Sequence, residues 1–566
     1  MQAWTNNSRI TRKMIAPSTP HPVQPEKHYD LIIIGGGIHG ATMAWEAISR
    51  GLSVLLLEKN DFGSATSANS LKIIHGGIRY LQDLDFSRMR QSINERRAFL
   101  RIAPHLVSPL ACVMPTYRDL SKSKLALWTG MKIYDAIACD RNRAVDPQRH
   151  IKAGEIITLD ELERVMPGLR NADMTGGARW YDAQVYNSER LVLAFIMSAR
   201  QRGADVCNYV EVKTPVIEHD RVRGVLATDR RTGKDIEVSA DAVINCAGPW
   251  VSQDLQYKQY CYPSQRGEFA KAVNIIVRRR IADCAVGIKF NVQTEAGQSN
   301  RLMFITPWRD GTLIGTWYFS GSFGPDDLNL SDEELASCIA QVNSACPALD
   351  LALEDIANLH IGLLPMESID QHGEPALQKK NTICHARDNG GVSGLFWIQG
   401  VKYTTARCVA EETVDRAAEY LGKAVTPSRT SETPLYGGDI VDISAYTRQA
   451  QGLYKDILSE REVERLIKNY GTNLDKIATY ADDLQELGEQ VPGTVGVLKA
   501  EISFVLDNEM VSTLSDLLLR RTDIGSFELP KKETIDYCAD LMATRLGWSE
   551  TEKTRNINDL IDHYHG

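Results

Sequence analysis

The residues whose types and spacing can do chemistry begin at Gly35-Gly-Gly-Ile-His-Gly40, where Gly35, Gly37 and Gly40 stand in GxGxxG order. In that spacing the first glycine permits a tight turn and the second lets backbone approach a pyrophosphate. The third lets a helix pack closely on a strand. A helix opening there offers unpaired N–H groups and partial positive charge to phosphate. Glu58 follows about twenty residues later, where an acid accepts hydrogen bonds from a ribose. The chemistry this predicts is dinucleotide binding.

A bare GxGxxG occurs in many loops, so the flanking elements carry the reading. Asp30-Leu-Ile-Ile-Ile34 is a continuous apolar run of strand length. Ala41 to Arg50 reads as a helix closed by Gly51, and Ser53 to Glu58 as a second buried strand. FAD and NAD share this unit, and two features favour FAD. The unit opens the folded chain, and a loop rich in small hydroxyl residues, Ser64 to Ser70, runs on into His75-Gly-Gly-Ile-Arg-Tyr80. Such residues let backbone lie against a flat ring and donate hydrogen bonds to it.

Farther along, Asp241 to Trp250 reads as a buried strand entering a Gly-Pro turn, and Arg301 to Tyr318 as strands of a second sheet. Leu395 to Ile398 is a strand, and Thr404 to Leu421 has apolar residues at helical spacing. Pro427, Pro434 and Gly437-Gly438 mark a boundary, beyond which the chain turns helical, Glu501 to Arg521 included.

Composition bounds the rest. The chain has 566 residues and a net charge of −9, with 43% hydrophobic and 24% charged residues, which excludes a disordered or fibrous chain. Length alone suggests roughly two to four domains. The mild acidity argues against a nucleic-acid partner. Eleven scattered cysteines with no CxxC pair read as reduced thiols, with neither a disulfide framework nor a metal site. No apolar run is long enough to span a bilayer. Residues 1–28, with Pro17, Pro20, Pro22 and Pro25, read as a flexible tail.

Together these segments resemble the FAD-dependent glycerol-3-phosphate dehydrogenases, within the D-amino-acid-oxidase-like flavoproteins. The carrying strings are Asp30 to Glu58, Ala65-Thr66-Ser67 through Lys72 to Tyr80, Ala103-Pro-His-Leu106, Asn245-Cys-Ala-Gly-Pro-Trp250, Lys402-Tyr-Thr-Thr405 and Leu514 to Thr522. The resemblance implies a mixed α/β fold. A Rossmann-like FAD-binding domain over 29–428 is interleaved with an antiparallel-sheet substrate domain at about 110–200 and 260–385, and 429–566 forms a helical domain. The implied reaction moves hydride from a CH–OH carbon to flavin N5, the electrons then passing to a quinone or to oxygen. Besides Gly35, Gly37, Gly40 and Glu58, the FAD contacts it implies are Ile38, Lys59, Thr66, Ser67, Ser70, Lys72, His75, Gly76, Gly77, Val212, Ala247, Gly248, Trp250, Gly400, Lys402, Tyr403 and Thr404.

Three residues are candidates for the chemistry itself. Lys402, at the start of a helix, pairs a cation with a helix N-terminus, a combination that stabilises an anionic reduced flavin. Arg79 resembles the family's substrate-side arginine, with a surface ion pair as its alternative. Tyr80 is read as site wall or core, and His75 as a loop residue whose backbone faces the flavin.

The departures from the family concentrate where it holds substrate. Its Gly-x-Arg-Pro string becomes Gly362-Leu-Leu-Pro365, with Leu364 in the arginine's place. Its Lys-Gly-x-His string corresponds to Lys271-Ala-Val-Asn274, and its Gly-Thr-Thr-Asp string to Gly315-Thr-Trp-Tyr318. A charged hydrogen bond is worth about 1.5–3 kcal/mol, so losing the arginine weakens phosphate binding by roughly tenfold to more than a hundredfold. The expectation is a small-molecule pocket repurposed around Asn274, Trp317, Tyr318 and Leu364; the alternative is compensation by another cation. Competing functions are oxidation of a non-phosphorylated hydroxy or amino compound, and non-catalytic flavin binding. A cytoplasmic location, peripheral contact with the membrane and a homodimer complete the expectations. The arginines Arg88, Arg90, Arg96, Arg97 and Arg101 read as a solvated helix face.

Overall fold

A computed structural model describes residues 23–119, 122–169, 172–252, 268–294, 297–321, 323–324, 328–371, 374–481 and 484–565. The apolar run at the start forms β1 (Tyr29–Ile34), the glycine turn leads into α1 (Ile38–Ser49), and β2 (Val54–Leu57) returns beside β1 in parallel. Runs buried on both faces are what a parallel sheet covered by helices requires. β7 (Asp205–Cys207) extends the sheet beyond β2, and β10 (Lys234–Asn245) lies on the other side of β1. β18 (Leu395–Gln399) and the antiparallel β17 (Thr382–His385) finish that edge, while β8 (Val210–Glu218) and β9 (Arg221–Asp229) form a hairpin on β10. α1 packs its alanines against α5 (Ser188–Gln201) and the helix Ala406–Leu421. α5 therefore belongs with the first sheet, although it falls within the 110–200 stretch expected in the substrate domain.

The second sheet runs β16 (Pro375–Leu377), β15 (Ile356–Ile369), β11 (Glu268–Val277), β14 (Gly311–Phe319), β13 (Gly297–Trp308), β12 (Ala285–Thr294), β4 (Val107–Tyr117), β6 (Met174–Val185), β3 (Ile73–Ile74), with β5 (Glu155–Ile157) on β6. One face packs on the helix Asp332–Ala345 through Val273, Ile275, Phe290 and Trp317. β3 lies within the loop that follows the dinucleotide unit, so that loop is tied to the second sheet.

The C-terminal helices share a core with the first sheet. The helix expected over Glu501 to Arg521 is interrupted: Lys499–Asn508 ends before Met510, at φ +53°, and a second helical turn spans Asp516–Arg521. Asp516 accepts from the Ser512 and Thr513 amides at 2.8 and 3.0 Å, which replaces the helical ladder there. Arg520 and Arg521 reach Asp61, just after β2, at 2.6–2.8 Å. Arg190 of α5 grips Glu509 at 2.5 Å. The Leu-Leu-Arg-Arg-Thr string is thus a clasp between the helical domain and the first sheet.

Two expectations change at the chain's start and in the arginine cluster. Of the expected tail, residues 1–22 lie outside the described residues, but Val23 packs on the first sheet and Lys27 reaches Asp205 at 2.6 Å. On α2 (Phe86–Ile102), Arg88 pairs with Asp85, Arg90 and Arg97 with Asp140, Arg96 with Asp182 and Arg101 with Glu432. Arg96 is fully buried, so it is a core ion pair and no part of a solvated face. Beside α2, the helix α3 (Lys124–Ile137) leaves Leu125, Trp128 and Ile133 exposed, and Leu84 and Phe86 are exposed before and at the start of α2. α3 packs its buried side, Tyr134 included, on the Ile78–Leu81 turn that carries Arg79 and Tyr80.

Candidate functional site

The glycine turn is built by backbone that tolerates no side chain. Gly35 has φ +98°, and a Cβ there would lie 2.8 Å from the Cys246 carbonyl oxygen. A Cβ on Gly40 would lie 1.8 Å from the Gly35 oxygen. The Ile38 N–H at the start of α1 donates to Ser67 Oγ at 3.0 Å, so an oxygen already sits at the helix N-terminus. Glu58 accepts from the Gly36 amide at 2.6 Å and the Asn60 amide at 2.8 Å; burial raises its pKa and those two donors oppose the rise. Lys59 lies 4.3 Å from the Trp250 ring, and the Ala247 N–H donates to Asn245 Oδ1 at 3.0 Å in the turn after β10. Gly248, at φ +57°, has open space where a side chain would stand, and Val212 is half-buried on β8. A cradle of close backbone, free of side chains, fits a dinucleotide.

The second loop is held from behind. Lys72, 1% exposed at φ +60°, donates to Ala68 O at 2.7 Å, Ser188 Oγ at 2.8 Å and Glu189 Oε2 at 2.8 Å. Its ammonium is directed into the protein, which corrects the expectation of a cofactor contact: Lys72 shapes the loop. Ser70 Oγ accepts the Lys72 N–H at 3.2 Å, and Thr66 Oγ1 meets the Leu363 N–H of β15 at 3.2 Å. His75 donates its backbone N–H to Thr404 Oγ1 at 3.2 Å, and Gly76 donates to Asp182 Oδ1 at 2.5 Å. Arg96 and Tyr134 close over Gly76 so tightly that a Cβ would lie 2.2 Å from each. Gly77 follows at φ +80°. Asp182 is the residue that sequence reasoning missed; it lies on β6, distant in the chain, and no local string announces it.

The charged groups meet at Tyr80. Lys402 Nζ lies 4.3 Å and the Arg79 guanidinium 5.4 Å from its buried ring. Burial lowers the Lys402 pKa, Tyr80 opposes that, and Arg79 and Arg88 add to it. Among the described residues neither Arg79 nor Lys402 has a carboxylate within ion-pair distance, whereas the buried Arg96, Arg190, Arg407 and Arg521 are all paired. His75 is exposed to the cleft, yet packing around its ring lowers its pKa; Asp182 opposes this, while Arg79, Lys402 and Arg96 reinforce it. Tyr403 donates its hydroxyl to Ser188 O at 2.7 Å, and Gly400 opens the turn that carries Lys402.

The sheet supplies the opposite wall. A Cβ on Gly362 would lie 3.1 Å from Thr66, so even-numbered positions of β15 face the loop, and Leu364 stands among them, half-buried. Register sets Leu364 beside Ala270, Gly362 beside Ala272, and Tyr318 of β14 beside the same Ala272. Burial raises the Tyr318 phenol pKa and Arg79 opposes it, which joins Tyr318 to the cation cluster. Asn274 is buried; its Oδ1 accepts from Thr316 at 2.7 Å and its Nδ2 donates to Asn69 O at 3.4 Å. Trp317 does not line this wall. It is 2% exposed on the other face, with Nε1 donated to Gln341 at 3.1 Å and its ring edge-on to Phe290. Alternation along β14 puts Trp317 and Tyr318 on opposite faces. Lys271 also turns away, to Glu334 at 3.2 Å, and Arg301, near Tyr318, is ion-paired with Glu374.

With this geometry in place, the comparisons with known proteins decide the family. Residues 30–416 match the family described as FAD dependent oxidoreductase, and residues 428–553 match the C-terminal domain of alpha-glycerophosphate oxidase. A glycerol-3-phosphate dehydrogenase of Synechocystis sp. is 32% identical, over 94% of this chain and 96% of that protein. The chain belongs to the FAD-dependent glycerol-3-phosphate dehydrogenase family. It is an FAD-dependent oxidoreductase, in which Rossmann-type and antiparallel sheets are joined to a helical C-terminal domain. The aerobic glycerol-3-phosphate dehydrogenase of Bacillus subtilis is 27% identical, over 95% of each chain. A glycerol-3-phosphate dehydrogenase structure from Bacillus halodurans, complexed with FAD, superposes with a TM-score of 0.73 at 26% identity, over 95% of each chain. Among the described residues no helix is long and apolar enough to cross a membrane.

Proposed function

We propose that the chain oxidises the CH–OH carbon of an anionic hydroxy compound, glycerol 3-phosphate or a close relative. The observation that carries this is the pair Arg79 and Lys402, two cations without carboxylate partners among the described residues, meeting over one tyrosine in the cleft. FAD, when bound, supplies the hydride acceptor. Gly35, Gly37, Gly40, Ser67 and the His75-Gly-Gly backbone would hold it. Arg79 presents five fixed N–H donors to an anionic substrate, and Lys402 places positive charge where negative charge develops. Tyr318 and Leu364 wall the substrate side, and the apolar Leu364 leaves phosphate with fewer charged partners than the family pattern provides. Anaerobic mixing with glycerol 3-phosphate should bleach the yellow flavin at low millimolar concentrations, while glycerol at the same concentration does not. Equal bleaching by both would remove the anion from the assignment.

The electron acceptor is reached, on the same reading, at a lipid surface. Leu84 and Leu125 are 68% and 72% exposed, Trp128 and Phe86 are exposed as well, and Lys124 and Lys132 lie on the same helix as Leu125 and Trp128. Apolar side chains flanked by lysines suit the boundary of an anionic bilayer. Full-length protein should co-sediment with anionic vesicles, and Leu125→Glu with Trp128→Glu should release it. Protein that stays in the supernatant at low salt would refute the lipid contact.

A further inference from the structure

Glu58 directly follows β2, at the place where an acid accepts from the ribose of a dinucleotide. Its turn, residues 58–62, packs on the glycine turn: a Cβ on Gly36 would lie 2.6 Å from Phe62 Cδ1 and 3.0 Å from Glu58 Cβ. The Glu58 carboxylate accepts from the Gly36 and Asn60 amides, so its aim depends on how this turn is held.

The far side of the turn is held by the helical C-terminal domain. Buried Asp61 accepts from Arg521 Nη1 and Nη2 at 2.8 and 2.7 Å, and from Arg520 Nε at 2.6 Å. Asn208 Nδ2 donates to Asp61 at 3.2 Å and to Met510 O at 3.1 Å. A second route runs through Tyr209, whose hydroxyl donates to Asp516 at 2.6 Å and whose N–H donates to Asn60 O at 3.0 Å. Asn60 therefore stands between the clasp and Glu58. Charge adds to the linkage. Burial raises the Glu58 pKa and Asp61 adds to the rise, while Arg521 and Arg520 overcome burial at Asp61 and hold its own pKa down at about 2. Without the two guanidiniums, the Asp61 carboxylate would repel Glu58 unscreened.

We propose that Arg520 and Arg521 are positioning residues for FAD: through Asp61 they fix the turn that presents Glu58 to the ribose. They act through that turn and not by contact, which makes cofactor retention a task of the helical domain. A turn already held does not have to be ordered when FAD binds. The inference rests on the family's use of FAD and is independent of the substrate assigned above.

The test is FAD affinity, by fluorescence titration of the deflavinated full-length chain, in a double-mutant cycle with Glu58. Arg520→Gln is the probe, because Arg521→Gln would strand a carboxylate in the fully buried pair. Arg520→Gln should bind FAD roughly tenfold more weakly than the parent, and Arg520→Lys should stay within about threefold of it. In a Glu58→Ala background, Arg520→Gln should weaken binding by less than about twofold. An equal loss in both backgrounds would overturn the proposal, since a general loosening of the fold acts alike in each. Parental affinity in Arg520→Gln would overturn it too. If Arg520→Gln does not fold, Tyr209→Phe takes its place in the same cycle, removing the bond to Asp516 and keeping the ring. It should weaken FAD about threefold when Glu58 is present and leave Glu58→Ala unchanged, and equal losses would again be decisive against the proposal.

Discussion

The glycine loops and the sheet face opposite them meet where Gly362 approaches Thr66, yet the chain specifies them in different ways. On the loop side the determinants are backbone positions. Gly35, Gly40, Gly76 and Gly77 have either a left-handed φ or neighbours closer than any Cβ allows. On the sheet side the determinants are side chains on a regular pleat, and Leu364 stands on β15 with no constraint on its backbone. A pleat presents whatever residue occupies each alternate position, so substrate contacts can change without disturbing the fold. A glycine cradle has no such freedom. That difference would let a chain keep its FAD strings while sheet positions such as Leu364, Asn274 and Tyr318 change.

The contrast can be broken by mutation, the largest effect falling on the cradle. Gly40→Ala forces a methyl against the Gly35 carbonyl, where backbone cannot yield cheaply. FAD binding should weaken by at least a hundredfold, read as loss of flavin absorbance in purified protein; a fully yellow variant would show that the cradle is not so tight. On the sheet, Leu364→Arg restores a charged partner on the cleft side. One charged hydrogen bond is worth about 1.5–3 kcal/mol, so KM for glycerol 3-phosphate should fall about tenfold with FAD retained. An unchanged KM would mean that Leu364 does not face bound substrate.

Lys402 links the two sides and adds a pH signature. Its pKa is lowered by burial, so it loses its charge at a lower pH than an ordinary lysine. The rate of flavin reduction should therefore begin to fall below the ordinary lysine value of about 10.4. In Lys402→Arg the fall should disappear, because guanidinium stays protonated across that range. An alkaline limb identical in both proteins would remove Lys402 from the reaction.

The same contrast governs how much was legible in the sequence. β1, α1 and β2 could be read because buried parallel strands and a glycine turn leave local strings. The β13 and β14 strands were legible from alternation, but which residue faced the cleft was not. Trp317 looked like pocket and lies in the core beneath the sheet, since the face of a strand is settled by its partners. Lys72 looked like a cofactor residue because a lysine in a loop carries no mark of Glu189, far along the chain. The Leu-Leu-Arg-Arg-Thr string was recognisable as a motif, while its work became visible only once Asp61 stood opposite Arg521. The interruption after Asn508 was hidden because its cause, Asp516 accepting two amides, is an ordinary acid in a helical pattern.

The central claim is that two cations without carboxylate partners among the described residues select an anionic substrate, and Arg79→Met tests it most directly. The quantity is the ratio of kcat/KM for flavin reduction by glycerol 3-phosphate to that by glycerol. The account predicts that this ratio falls at least tenfold in Arg79→Met, carried mainly by KM, with FAD still bound. A ratio that does not change, with both substrates slowed alike, would contradict it.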